Sequence, residues 1–229
     1  MKHHRSALDE EDFEDSQPVV YVVDDDLTLR NALDSLFRSV GLQVQTFASP
    51  EEFVRFDRID TCGCLVLDVR FQGQSGLNLQ SQVMRTESPI PIVFMTAHGD
   101  VEMTVKAMKA GAVDFFAKPF RDQDMLDAVA QAIERDRAQR RAERNLKDLR
   151  KRYQSLTRRE REVLSYVVVG LMNKQIADEL GLSEITVKIH RKHAMAKMAA
   201  RSVVDLVLKA QALNLKMPVD RVRCTSKKH

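Results

Sequence analysis

The sequence is poor in cysteine and has no long apolar run. It contains three cysteines, Cys62, Cys64 and Cys224, in 229 residues. An odd count without two ligand pairs argues against a disulfide framework and against a zinc site. No apolar stretch approaches the ~18 residues that a membrane-spanning helix needs. We therefore expect a protein with its own hydrophobic cores, free thiols and no membrane partner.

The N-terminal stretch also lacks the apolar segment of a secretory signal. Residues 1–16 are polar and mainly acidic, which predicts a disordered tail. Its adjacent His3 and His4 have no further donors nearby in the sequence, so we interpret them as tail residues and not as metal ligands. Without an export signal, we expect a cytoplasmic protein.

The two halves of the chain carry net charges of opposite sign: basic residues are the minority in the first half and acidic residues in the second. Residues 1–125 hold 12 Lys and Arg against 21 Asp and Glu, a net charge of −9. Residues 126–229 hold 24 against 12, a net charge of +12. Two domains with different partners explain this asymmetry, and the basic half is the candidate for nucleic-acid binding. The predicted limits are an acidic tail 1–16, an α/β domain 17–133, a helical linker 134–155, a small all-α domain 156–215 and a basic tail 216–229.

Five short apolar runs alternate with helical patterns in the first half. They span Val19–Val23, Leu42–Phe47, Cys64–Leu67, Ile90–Met95 and Val113–Ala117. Five such βα repeats predict a doubly wound α/β fold with a parallel sheet and helices on both faces.

Polar residues follow four of these runs, and the carboxyl ends of parallel strands are where such folds form their sites. The set comprises Asp24, Asp25, Asp68, Thr96 and Lys118. Carboxylates suit Mg²⁺, and a central carboxylate can accept a phosphoryl group as an aspartyl phosphate. A metal, an ammonium and a hydroxyl can then hold the phosphoryl oxygens.

Two other interpretations of these residues are open. In the first, Asp68 and Lys118 form a structural ion pair and Asp24–Asp26 cap the next helix, as we expect of Asp26. In the second, "DDDLT" is similar to the nucleophile motif of haloacid-dehalogenase-type phosphatases. That reading needs a further acidic pair at a later strand end, and it leaves Asp68 and the basic half without a role.

The first half resembles the receiver domain of response regulators over Val19 to Ile133. The motifs are "VVDDD", "LVLDVR", "FMTAHGD" and "AGAVDFFAKPF". The resemblance implies that Asp68 takes phosphate from a sensor histidine kinase and that Mg²⁺ binds Asp24, Asp25, Asp68 and the carbonyl of Arg70. It also implies phosphate-binding and switch roles for Thr96, Ala97, Phe115 and Lys118. Gln72 stands where the family often has Pro, which leaves the phosphate lifetime open.

A helical pattern without Pro or Gly continues from Leu126 through residues 134–155. It predicts a long solvated linker helix. A dimeric coiled coil is the alternative, and the loss of heptad phase between Ile133 and Leu146 disfavours it. Thr157 and Glu160 then form a predicted capping box that starts a new helix.

Two short helical patterns around Gly181 predict a helix-turn-helix. Ser183 is the expected N-cap of the second helix, which carries Lys188, Arg191, Lys192 and Lys197. A basic helix at this position is typical of one that enters the major groove. A solvated basic face without any partner is the alternative.

This stretch resembles the LuxR-type helix-turn-helix over Leu156 to Leu208, on "LTRREREVL", "NKQIA", "LSEITVKIHR" and "KM". The resemblance implies base contacts by Lys188, Ile189 and Lys192. Phosphate contacts are expected from Asn173, Lys174, Thr186 and Arg191.

Together the halves resemble two-component response regulators of the FixJ and NarL groups. That implies a phosphorylation-activated transcription regulator, not an enzyme, whose partners are promoter DNA, a sensor histidine kinase and RNA polymerase. Phosphorylation is expected to promote a homodimer through a face that includes Val101, Val105 and Lys109. A constitutive DNA-binding protein with a degenerate receiver is the remaining alternative.

Overall fold

The computed structural model describes residues 17–58, 60–71, 74–75, 79–80, 83, 89–97 and 101–215. The two predicted tails, 1–16 and 216–229, lie outside the described residues, as do Gln72 and Cys224. Contacts divide the chain into two compact units between Arg140 and Arg141. The domain limits predicted from the sequence stay predictions.

The first unit contains the predicted parallel sheet. Its five strands are β1 (Val19–Val23), β2 (Gln43–Phe47), β3 (Gly63–Asp68), β6 (Ile92–Thr96) and β7 (Asp114–Ala117). Their order is β2-β1-β3-β6-β7, and every neighbouring pair is parallel. Each strand begins and ends within two residues of its predicted run. A two-stranded antiparallel ribbon, β4 (Arg70–Phe71) with β5 (Gln74–Ser75), follows β3.

Helices cover both faces of this sheet, as predicted. They are α1 (Leu27–Ser39), α2 (Pro50–Arg55), α3 (Val101–Lys109) and the start of α4 (Asp122–Gln154). Alternate residues of β1 point to opposite faces, so Tyr21 belongs to the core with α2 and α3, and Val22 to the core with α1 and α4. The two faces therefore have separate apolar cores.

Predicted helix caps lie next to the carboxyl ends of the strands. Asp26 caps α1, and its side chain accepts hydrogen bonds from the backbone N–H groups of Thr28 and Leu29. Ser49 caps α2 in the same way by accepting from Glu52. The Asp26 cap places the first residues of α1 directly after Asp24 and Asp25.

The helix α4 is continuous over 33 residues. Val129 and Ile133 are buried on the sheet, whereas most side chains from 141 to 152 are exposed. The predicted long helix is confirmed, and the coiled-coil alternative stays untested. Asp136 of α4 is buried and accepts a hydrogen bond from the Gly63 N–H at the start of β3 (2.9 Å) and another from Arg140 Nε.

The second unit is helical, as predicted. Its helices are α5 (Arg158–Val168), α6 (Asn173–Leu180), α7 (Glu184–Lys197) and α8 (Val203–Ala212). Gly181, in the turn between α6 and α7, has φ 64°, a left-handed conformation that favours glycine. Val163, Ile176, Val187 and Leu206 contribute one buried side chain from each helix to a common core.

Two further expectations concern thiols and membranes. Cys62 and Cys64 are free and buried, and burial raises the pKa of the Cys64 thiol above its ordinary value. Within the described part of the chain, none of the helices combines the length and apolar character that crossing a bilayer requires.

Candidate functional sites

The strand order brings the predicted acidic residues together. The strands β1 and β3 are neighbours, and Val23 pairs with Leu67, so Asp24 and Asp68 follow side by side. Asp68 is the last residue of β3 at the middle of the sheet. Oxygens of Asp24, Asp25 and Asp68 lie within 4.8 Å of one another. This acidic cluster at the carboxyl edge is consistent with a metal site.

Lys118 connects the two buried carboxylates of the cluster. It follows β7 directly, and its Nζ lies 2.6 Å from Asp24 Oδ2 and 2.6 Å from Asp68 Oδ2. Asp24 and Asp68 are both buried. The structure therefore contains the Asp68–Lys118 ion pair that the first alternative interpretation proposed, within an acidic cluster that also includes Asp25.

Burial and charge act against each other in this cluster. Burial raises the pKa of Asp24 above its usual value, and the hydrogen bond from Lys118 offsets only part of that rise. For Lys118, burial alone would lower the pKa, but its bonds to Asp24 and Asp68 raise it above the ordinary lysine value. The side chain of Lys118 is therefore an ammonium, which offsets the repulsion between the two carboxylates.

Backbone groups orient the remaining carboxylate oxygens. Asp24 Oδ1 accepts from the N–H of Asp26 (2.8 Å), and Asp68 Oδ1 accepts from the N–H of Arg70 (2.9 Å). Arg30 of α1 donates from a guanidinium nitrogen to the carbonyl of Asp24 (2.6 Å). The sequence analysis missed Arg30, although its place one helical turn after the Asp26 cap was a usable signal.

The predicted switch residues lie on the adjoining strands. Thr96 ends β6 and is fully buried, and its carbonyl accepts from the Lys118 N–H (2.7 Å). Ala97 follows it and is exposed. Phe115 of β7 is half-buried, with its ring centroid 6.3 Å from that of Phe94. Phe115 is thus neither fully inside the core nor fully outside it.

The predicted dimer face lies on α3. Val101 is 82% exposed, Val105 and Met108 are also exposed, and Ala107 on the opposite side is buried. Lys109 at the end of the helix is exposed. Apolar side chains thus form much of an accessible helix surface.

In the second unit, α7 presents the predicted base-contacting residues to solvent. Lys188, Ile189 and Lys192 are exposed, whereas Val187 and Ala194 are buried in the core. Ser183 caps the helix as predicted, by accepting from the Thr186 N–H. The helix therefore has one face in the domain core and the opposite face free of it.

The predicted phosphate-contacting residues differ in their surroundings. Lys174 is exposed. Asn173 and Arg191 are joined, because an Arg191 guanidinium nitrogen donates to Asn173 Oδ1 (2.9 Å). Thr186 Oγ1 lies 2.8 Å from Ser183 Oγ. The hydrogen bond between Arg191 and Asn173 thus links α7 to α6, whereas the sequence analysis treated the two residues as independent phosphate contacts.

Lys197 does not share the exposed basic face with Lys188 and Lys192. Its Nζ lies 2.7 Å from Oε2 of Glu160, whose side chain is buried. Glu160 also accepts from the N–H of Thr157 and so completes the predicted capping box. The spacing along α7 places Lys197 beside α5, which counting charges along the sequence does not reveal.

Comparisons with known proteins assign a family to each of the two units. Residues 20–130 match the response regulator receiver domain family, and residues 154–210 match the luxR family of bacterial regulatory proteins. The chain is similar to nodulation protein W of Bradyrhizobium diazoefficiens, with 52% identity over 87% of this chain and 88% of that protein. It is also similar to the transcriptional regulatory protein FixJ of the same species, with 39% identity over 82% and 92%.

A solved structure extends the similarity to both units. The response regulator StyR has 47% sequence identity and a TM-score of 0.77, over 86% of this chain and 99% of that chain. The chain belongs to the two-component response regulators that carry a LuxR-type DNA-binding domain. Within that class its relatives include FixJ, so the predicted group is confirmed.

Family membership also decides against the phosphatase interpretation. The family consists of transcription regulators and not of enzymes. The receiver implies a kinase partner and the LuxR-type unit implies DNA binding. Asp26, which belongs to the "DDDLT" stretch, is the N-cap of α1, as the sequence predicts.

Proposed function

We propose that Asp68 is the phosphoacceptor of this regulator. The observation that carries the proposal is the position of Asp68 at the end of the central strand, buried and 2.6 Å from Lys118 Nζ. A carboxylate oxygen of Asp68 attacks the phosphorus of a phosphohistidine, the P–N bond breaks, and the histidine nitrogen leaves with its electron pair. The product is an aspartyl phosphate on the receiver.

The surrounding residues fit this transfer. Mg²⁺ bound by Asp24, Asp25, Asp68 and the carbonyl of Arg70 would neutralise the charge that builds up on the phosphoryl oxygens. Lys118 exchanges a carboxylate partner for a phosphoryl oxygen and stays paired. Thr96 donates its hydroxyl to a second oxygen, and the small side chain of Ala97 leaves room for the group to enter.

The output is regulated binding to promoter DNA. In this proposal Lys188, Ile189 and Lys192 of α7 contact base edges in the major groove. Lys174 and the linked pair Asn173–Arg191 contact phosphates, as does Thr186. The exposure of Lys188, Ile189 and Lys192 on α7 and of Lys174 on α6, together with the basic character of residues 126–229, supports this division of roles.

Phosphorylation is proposed to act through dimerisation. Movement of Thr96 toward the phosphoryl group vacates space that Phe115 fills by turning inward, and this reshapes the surface that includes Val101, Val105 and Lys109. Two linked DNA-binding units then engage two half-sites together. We further propose a cytoplasmic location and RNA polymerase as the partner at the promoter.

Labelling of two aspartate variants tests the phosphoacceptor. Asp68→Asn should take up no hydroxylamine-sensitive phosphate from acetyl phosphate, whereas the wild type should be labelled in a reaction that needs Mg²⁺. Asp26→Asn is the matched control, because Asn caps a helix as well as Asp does and the neighbouring pocket is retained. Mass spectrometry of the intact chain and of its peptides locates the label.

Labelling of Asp68→Asn at the wild-type rate would show that the assignment is wrong. A wild-type chain that takes up no phosphate yet binds promoter DNA fully would support the constitutive regulator with a degenerate receiver instead. The carboxylates of Asp24 and Asp25 and the ammonium of Lys118 beside Asp68 support a receiver that takes up phosphate on Asp68.

A further inference from the structure

The face of α7 that points away from the core carries two isoleucines. Val187 is fully buried, and a helix with 3.6 residues per turn places residues two positions before and after it on the opposite side. Those residues are Ile185 and Ile189, which are 74% and 49% exposed. The sequence analysis identified Ile189 as a DNA contact and passed over Ile185, the more exposed of the two.

The core of the domain does not account for Ile185. Its neighbour Val187 already supplies the apolar contact to the core at this point of α7. Fully burying an isoleucine side chain contributes about 1.5–3 kcal/mol. Because Ile185 is exposed, binding of a partner that covers it would obtain this free energy. Ile185 lies at the second position of the helix, next to the Ser183 cap.

The charges around the two isoleucines indicate what that partner is. Lys188 and Lys192 are exposed on the same side of α7, and Lys174 is exposed on α6. A surface that combines several ammonium groups with apolar side chains complements the major groove, which presents phosphates at its rims and thymine methyl groups on its floor. In helix-turn-helix proteins the N-terminal residues of the second helix contact base edges.

We propose that Ile185 contacts the C5-methyl group of a thymine and is a specificity-determining residue of this regulator. The inference rests on the proposed DNA binding by α7. Ile185 and Ile189 are four residues apart, so they are ~6 Å apart along the helix axis. That distance is about two base-pair steps. The pair therefore selects sites with thymines at two closely spaced positions.

Deoxyuridine substitution tests this contact, because it removes the methyl group and leaves every hydrogen-bonding group of the base unchanged. The full chain, activated with beryllofluoride, is first used to select binding sites from a random duplex library. Each thymine of the selected site is then replaced in turn by deoxyuridine. We expect about fourfold weaker wild-type binding at two nearby positions, the loss that corresponds to ~0.8 kcal/mol for one buried methyl group.

Three variants assign the two positions. Ile185→Ala should bind the selected site more weakly and should lose sensitivity to deoxyuridine at one position only. Ile189→Ala should lose it at the other position only. Val204→Ala is the matched control, since Val204 is 70% exposed in the same unit but lies on α8, and it should keep the wild-type pattern.

An Ile185→Ala variant with the wild-type deoxyuridine pattern would overturn the inference, as would a selected site without thymine. Equal loss of binding to random duplexes would also overturn it and would indicate a structural role. A partner protein on Ile185 would likewise leave the DNA pattern unchanged. If any of these results were obtained while Lys188→Ala still weakened binding to the selected site, the inference about Ile185 would be wrong but the proposed DNA binding by α7 would stand.

Discussion

At the scale of single residues, Lys118 joins two carboxylates of the proposed phosphoacceptor pocket. It forms ion pairs with Asp24 and Asp68, which are separated from it by 94 and 50 residues in the sequence. Both carboxylates are buried, so each would be costly without a positive partner. Lys118 is therefore expected to stabilise the receiver before any phosphate arrives.

Lys118→Met should lower the free energy of unfolding of the receiver by about 1–3 kcal/mol, because it leaves two buried carboxylates facing each other. Millimolar Mg²⁺ should restore part of this loss, and should stabilise the variant more than the wild type, since the cation replaces the missing positive charge. Urea denaturation with and without Mg²⁺ measures both effects. Lys106→Met is the control, because the Lys106–Glu102 pair is exposed and should contribute little to stability. Equal losses of unfolding free energy in the two variants would contradict the role of Lys118.

At the scale of elements, a buried carboxylate on α5 links that helix to α7, the second helix of the helix-turn-helix. Glu160 accepts hydrogen bonds from Lys197 of α7 and from the backbone of Thr157, and His193 Nδ1 lies 3.8 Å away. Burial would raise the pKa of Glu160, but the bonds from Lys197 and Thr157 outweigh it and hold the pKa below its ordinary value.

The stability of this unit should therefore depend on pH in the acid range. Because the folded-state pKa of Glu160 is lowered, its contribution is fully present above the unfolded-state pKa of about 4.3. That contribution is lost as the pH falls through the folded-state pKa. Glu160→Gln should cost about 1–2 kcal/mol at neutral pH and progressively less in acid. Thermal unfolding from neutral to acidic pH measures the difference, and a pH-independent cost would contradict the assignment.

Residues of α7 and α6 should contribute differently to DNA binding: Lys188 of α7 to sequence specificity, and Lys174 of α6 to affinity for any sequence. Lys188→Ala should cost about 1–3 kcal/mol at a selected site and relax its base preference. Lys174→Ala should weaken binding to all sequences and reduce the slope of log K against log salt by about 1. Titration of selected and random duplexes at several salt concentrations distinguishes them, and equal losses on both duplexes for Lys188→Ala would refute a base contact.

At the scale of the whole molecule, activation is expected to change the oligomeric state. The proposed phosphoacceptor Asp68 lies in one compact unit, and α7, the proposed DNA-contacting helix, lies in the other. A dimer that forms through α3 links two DNA-binding units, so affinity for a paired site rises without any new contact to DNA. The exposed apolar residues of α3 supply the surface that such a dimer buries.

Beryllofluoride should convert the chain from monomer to dimer at tens of micromolar, as measured by sedimentation. Val105→Asp together with Lys109→Glu should prevent this, because it places acidic charge on an apolar surface. Val54→Asp is the control, since Val54 of α2 is 56% exposed, somewhat more than Val105 at 43%, and lies outside α3. An activated chain that stays monomeric, or a dimer that survives the double substitution, would rule out this face.

The order of elements and the identity of the pocket residues were predictable from the sequence. Apolar periodicity reports the local burial of a strand, and polar residues after a buried strand reach the carboxyl edge of the sheet. Asp24, Asp68, Thr96 and Lys118 were all located in this way. The caps at Asp26, Ser49 and Ser183 were also predictable, because they depend on neighbours within three residues.

Only the tertiary structure decided which of these residues meet. The bridge from Lys118 to Asp24 depends on the parallel direction of the strands, which places the carboxyl ends of β7 and β1 at the same end of the sheet. Two strands lie between β7 and β1, and 94 residues separate the two side chains along the chain. Lys197 turns toward Glu160, and Asp136 caps the start of β3, through helix packing that no local pattern encodes. Local sequence determines burial and capping because these act over a few residues, whereas long-range pairs are set by the arrangement of whole strands and helices.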